Sequence, residues 1–135
     1  MKLRRFLMTK KKTSNISDKV ISLGKILIEF AKQCNYLYSE NSGNYNYALL
    51  IVASQFILGD KNSSILCLTN VGKHKYRISY WQSYKDEDQS YHYFKDDEMD
   101  FNKEVSKWTK YIQNFSKMMK KKSIFEREQK IKEDF

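Results

Sequence analysis

Two stretches of the chain repeat apolar residues at the period of a helix, and between them the period changes to that of strands. From Val20 the apolar positions Leu23, Leu27, Phe30, Cys34 and Leu37 follow at steps of three and four, which places them on one side of an α-helix. Ser17 stands where an N-cap belongs, and Asp18 favours the positive end of the helix dipole. Ile26, Ile28 and Ala31 widen the stripe, as expected of a helix laid deeply on a sheet. The cluster Asn41, Ser42, Gly43 and Asn44 is the clearest turn signal in the chain and is expected to end this helix.

Residues 45–58 are rich in Tyr, Leu, Ile, Val and Phe. They read as a long buried strand, although a buried helix has the same apolar signature. Gly59 to Asn62 form a turn signal before residues 64–70, and Val71 to Lys73 another before Lys75–Tyr84. There the alternation is cleanest, with Tyr76, Ile78, Tyr80 and Tyr84 on one side and Arg77, Ser79, Trp81 and Ser83 on the other. After a polar loop over 85–89, a short strand puts Tyr91 and Tyr93 on one face and His92 and Phe94 on the other. This middle region predicts an antiparallel meander of three or four strands.

The second helical stretch carries Phe101, Val105, Trp108, Ile112, Phe115 and Met119 on one side. Ser123 and Glu126 match the S-x-x-E capping box, which predicts a break near Lys122 and a short terminal helix to about Asp134. In that last segment Glu126 with Lys130, and Glu128 with Lys132, have the four-residue spacing of helical ion pairs. The expected fold class is therefore α+β: an N-terminal amphipathic helix, a three- or four-stranded meander, and a long C-terminal helix followed by a short one. Residues 1–15 read as a basic arm and 16–135 as a single domain. Near-heptad spacing of both seams also allows helices of two copies to pair, hence a homodimer.

Composition narrows the function. The chain has 135 residues and a formal charge of +9, enough for one core without disulfides or a structural metal. The charge comes in blocks: +6 over residues 1–12, −5 over 84–100 and +6 over 101–122. In the last block Lys103, Lys107, Lys110, Lys117, Lys120 and Lys121 fall opposite the apolar seam, and Glu104 is the only acid. A cationic helix face without interspersed acids points to a negatively charged partner, and its span of about 27 Å can meet several phosphates. Lysine outnumbers arginine 21 to 4, which suits contact with a phosphate backbone better than bidentate reading of bases. Arg4, Arg5 and Lys11 of the arm extend the candidate surface, and Tyr76, Tyr80 and Tyr84, together with Tyr91 and Tyr93, could offer rings on which bases stack or equally be buried against a helix, the commoner use of an aromatic strand.

Catalytic and metal chemistry find little footing. Cys34 and Cys67 are too far apart for a C-x-x-C element, and His74 and His92 are the only histidines. There is no phosphate-binding glycine loop, nucleophile elbow or zinc-protease motif. The acids Asp86, Glu87, Asp88 and Asp96 to Asp100 lack the spacing of a calcium loop and read as caps and loop solvation. No apolar run approaches the length of a bilayer span, and the N-terminus lacks a signal-peptide core. The expectation is a cytoplasmic, non-enzymatic protein without cofactor or metal that binds nucleic acid or a nucleoprotein complex. The alternative is a protein-protein module, such as a phage or mobile-element inhibitor of a host defence protein or a virion component.

Overall fold

The computed structural model describes residues 16–53 and 64–134. Their elements run α1 (Asp18–Gln33), β1 (Leu37–Ser42), β2 (Tyr47–Val52), β3 (Ser64–Asn70), β4 (Lys75–Tyr80), β5 (Ser90–Lys95) and α2 (Phe101–Asp134). The expected arm, with Arg4, Arg5 and Lys11, and the turn expected over Gly59 to Asn62 lie outside the described residues.

Helix α1 begins as its sequence suggests. Ser17 is extended (φ −63°, ψ 135°) and its side chain accepts a hydrogen bond from the Lys19 amide. It ends earlier than the apolar pattern implies. Asn35 takes a left-handed conformation (φ 62°), the Tyr36 amide donates to the Ala31 carbonyl at 2.9 Å and the Asn35 amide to Lys32 at 3.0 Å. That pair of bonds is a Schellman ending, and Asn is one of the few residues other than glycine that tolerates it. Residues 37–42 then form a strand, and the turn cluster at 41–44 lies at the end of β1 and in the β1–β2 hairpin turn instead of ending the helix. Leu37, assigned by period to the helix seam, is 63% exposed on the strand.

The sheet is a five-stranded antiparallel meander in the order β1-β2-β3-β4-β5, one strand more than the upper expectation. Tyr47, Leu49 and Ile51 of β2, Leu66 and Leu68 of β3, and Tyr76 and Ile78 of β4 are buried on one face. Both helices cover that face: Val20, Leu23, Leu27, Ile28 and Ala31 of α1 and Trp108, Ile112 and Phe115 of α2 share one core with it. The two seams that could have paired between copies are thus occupied within the chain.

Helix α2 is one continuous rod of 34 residues, about 51 Å long. The predicted break near Lys122 does not occur. A capping box acts only where the backbone leaves the helix, and no Gly or Pro lies between Phe101 and Asp134 to make it do so. From Lys120 to Glu133 every residue but Lys122 is exposed, so the last turns project beyond the core. Neither predicted ion pair in that segment closes to bonding distance. No helix among the described residues is long and apolar enough to cross a membrane.

Candidate functional site

The apolar seam of α2 decides where its lysines point. Trp108, Ile112 and Phe115 are buried, so the opposite side of the helix faces away from the core. Lys103, Lys107, Lys110, Lys117 and Lys121 are all exposed, and at about 100° per residue they fall within an arc of roughly 80°. Lys120 is exposed too but stands roughly 60° outside that arc, beside an apolar hollow lined by Tyr36, Phe115 and Met119. None of the six makes an ion pair among the described residues. Lys107 lies over the Trp108 ring, 4.9 Å from its centroid, which steadies the side chain without neutralising it.

The acid that interrupts this lysine block is turned inward. Glu104 Oε1 lies 3.0 Å from His92 Nε2, and its Oε2 accepts a hydrogen bond from the Trp108 indole at 2.6 Å. Both partners sit on the core side of α2, so Glu104 does not offset the lysine stripe. Three further acids in this region have structural partners as well. Asp100 Oδ1 accepts from the Lys103 amide at the start of α2, Asp86 Oδ2 from the Gln82 and Ser83 amides, and Asp96 Oδ2 lies 3.1 Å from His74 Nδ1. Among the described residues no group of three or more His, Cys, Asp and Glu stands together as metal ligands would.

The tyrosines divide between the two faces of the sheet. Tyr76 is fully buried, stacks on Phe94 at 5.6 Å, and its hydroxyl accepts from the Ser17 amide at the head of α1. Tyr80 packs edge-on to Trp108 and Tyr111. Tyr84 lies in the loop after β4, edge-on to Phe125, with Lys85 over both rings. None of these three belongs to an open stacking surface, which corrects the stacking expectation: Tyr76 and Tyr80 are on the face that the helices cover, and Tyr84 lies beyond the end of β4. Tyr91 and Tyr93 are on the other face, because the register sets them opposite Ser79 and Arg77 rather than opposite Tyr76 or Ile78. They are 54% and 50% exposed.

The face that no element among the described residues covers has a charge pattern of its own. Glu40 is the only acid on the five strands, and it points to the helices, where Lys25 donates to it at 2.6 Å and the Tyr47 hydroxyl at 2.8 Å. Burial alone would raise its carboxyl, but these two donors outweigh that and hold it below the usual carboxylate range. The strand cations Lys75, Arg77 and Lys95 all lie on the open face. Arg77 rests over the Tyr91 ring at 5.0 Å and Lys75 over the Tyr93 ring at 5.3 Å. Sequence reasoning missed these three cations as a group. Alternation had separated Arg77 from Tyr76, but only the β4–β5 register joins it to the tyrosines of the next strand.

The cysteines and histidines do not meet. Cys67 is on the open face between Leu50 and Ser79 in the register, and burial pushes its thiol up, only partly opposed by Arg77. Cys34 caps α1, His74 faces Asp96 and His92 faces Glu104. No protein-family model, curated protein or solved structure matches the chain.

Proposed function

We propose that this protein binds nucleic acid, or a nucleoprotein complex, through the lysine stripe of α2, without catalysis of its own. The observation that carries this reading is the set of exposed lysines at 103, 107, 110, 117 and 121, aligned along one rod and without an acidic partner among the described residues. A solvated helix surface ordinarily intersperses acids among its lysines. Here the one acid of the block serves His92 and Trp108 inside. Lysine ammonium groups are point charges, so the contact is with phosphates and carries little sequence preference.

The test is salt dependence with charge reversal. If five lysines each neutralise a phosphate, log affinity for duplex DNA should fall against log salt with a slope of about −4.5, on the order of 500-fold between about 50 and 200 mM. Changing Lys107, Lys110 and Lys117 together to Glu should abolish binding. An affinity for DNA and RNA that ignores salt, or that survives the triple reversal, rejects the reading.

A second reading is favoured by the projecting end of α2. Ile124 and Ile131, 53% and 57% exposed, are seven residues apart on one side of the helix, and Phe125 is exposed beside them. Apolar residues presented on a free helix suit a protein partner, such as the target of an inhibitor from a phage or mobile element. Capture of one stoichiometric protein that survives nuclease treatment and is lost with Ile124→Asp and Ile131→Asp would favour this reading over the first.

A further inference from the structure

We infer that the open face of the sheet is a second nucleic-acid surface, specific for single strands, on which Tyr91 and Tyr93 stack bases while Lys75, Arg77 and Lys95 hold phosphates. It rests on the proposed function only in taking nucleic acid as the partner, because it uses none of the α2 lysines. Three observations converge on it. First, the face carries every cation of the five strands and none of their acids; Glu87 and Asp88 of the β4–β5 loop line a hollow at the Tyr91 end, so the field favours an anion toward the Lys75, Arg77, Tyr93 and Lys95 end of β4 and β5. Second, Tyr91 and Tyr93 are two residues apart on β5, which sets their rings about 6.8 Å apart along the strand, and each keeps half of its surface in solvent. Third, each ring already has a cation against it, Arg77 on Tyr91 and Lys75 on Tyr93, and Arg77 Nε is buried there with no hydrogen-bond partner among the described residues. A ring fixed by a neighbouring cation is preorganised for stacking, and the cation beside it is placed for the phosphate of the base it carries.

The chemistry selects single strands over duplex. Stacking on a protein ring needs a base whose flat face is free, and in a duplex those faces are covered by neighbouring bases. The bordering positions of β2 and β3 on this face, Ala48, Leu50, Cys67 and Thr69, carry no acid. β5 is the edge of the sheet, so a strand can lie across it without meeting a further element of the sheet.

The experiment uses the full chain with fluorescently labelled oligothymidine of about 12 nucleotides, within the range of single-strand site sizes. The comparison probes are a duplex of the same length and an abasic oligomer with the same phosphates. Tyr91→Ala with Tyr93→Ala should weaken oligothymidine binding by about tenfold or more per ring and leave duplex affinity unchanged. Tyr91→Phe with Tyr93→Phe should restore it, since the ring and not the hydroxyl stacks. The inference is overturned if the double alanine variant, folded by circular dichroism, binds oligothymidine as the parent does, or if the parent binds the abasic oligomer equally well. It is also overturned if the parent binds duplex but no single strand, a result that leaves the lysine stripe standing. Absence of binding to all three probes overturns both.

Discussion

Replacing Gly24 with alanine should destabilise this protein, against the usual effect of that change in a helix. Alanine is favoured over glycine in a helix interior by about 1 kcal/mol, so a solvent-facing site would gain stability. Gly24 is instead buried under the ring of Tyr47. A Cβ built there would run into the Tyr47 hydroxyl oxygen and stand 2.8 Å from Cζ, well inside van der Waals contact. The ring has nowhere to retreat: Tyr47 is fully buried, and its hydroxyl donates to Glu40, which Lys25 holds from the other side. Forcing a methyl into a filled site costs about 1–3 kcal/mol. Displacing the hydroxyl from a carboxylate adds about 1.5–3 kcal/mol. After the propensity gain, the net loss is about 1.5–5 kcal/mol, which for a domain of this size lowers Tm on the order of 10 °C. Thermal and urea unfolding of Gly24→Ala, Tyr47→Phe and the double variant measure it. Because part of the clash is with the hydroxyl, Gly24→Ala should cost less in the Tyr47→Phe background than alone. A rise in Tm for Gly24→Ala, or strictly additive losses in the double variant, would refute the reasoning.

Two further predictions concern the bonds that tie the layers together. The Tyr111 hydroxyl accepts from the Trp81 amide at 2.8 Å and donates to the Ile65 carbonyl at 2.9 Å, so Tyr111→Phe leaves two backbone groups unpaired and should cost about 1–3 kcal/mol in urea unfolding. A Tyr111→Phe protein as stable as the parent would mean that water or another group satisfies both. Glu40 has its folded carboxyl below the ordinary range, so its contribution is present above the unfolded value of about 4.3 and is lost as pH falls through the folded one. Unfolding between about pH 6 and 2 should therefore show a loss of stability that is smaller in Glu40→Gln; equal pH slopes for the two proteins would count against the arrangement.

How far the sequence reveals this molecule depends on whether a feature is local. The Ser17 cap and the two apolar seams are set by spacing within one element, and the structure has them where the spacing puts them, save for Leu37 at the end of the first. β1 is different. Its residues, LYSENS, alternate poorly and none is fully buried, so nothing in their pattern competes with the helical reading that runs through Cys34 to Leu37. What ends the helix is the backbone of one asparagine, Asn35, a weak signal beside the glycine that more often fills this place. At the other end of the chain the error is reversed. Ser123 and Glu126 carry a strong start signal, but the propensity of the lysines and glutamates around them carries the helix straight through. The candidate site divides in the same way. The lysine stripe follows from spacing along one helix, whereas the separation of Tyr76 and Tyr80 from Tyr91 and Tyr93 depends on strand register, which alternation within each strand does not define.

Register also explains why the cationic surfaces are not a by-product of lysine-rich composition. A bias toward lysine codons decides which basic residue appears; it does not decide where the acids go. A carboxylate drawn toward the interior needs donors, since an unpaired buried charge is costly. Glu40 and Glu104, with side chains 14% and 12% exposed, each have two such donors or close ring nitrogens. Asp96, at 13%, faces His74. Each of these acids is held by a bond that joins one element to another, and so is withdrawn from the surface it would otherwise neutralise. The lysine stripe of α2 and the cation-tyrosine face of the sheet are what that withdrawal leaves outside, on two sides of the molecule separated by its core. A single strand lying on the sheet cannot at the same place touch the stripe, so on the two proposals stacking and backbone charge would act at separable surfaces, and variants of one should leave the other undisturbed.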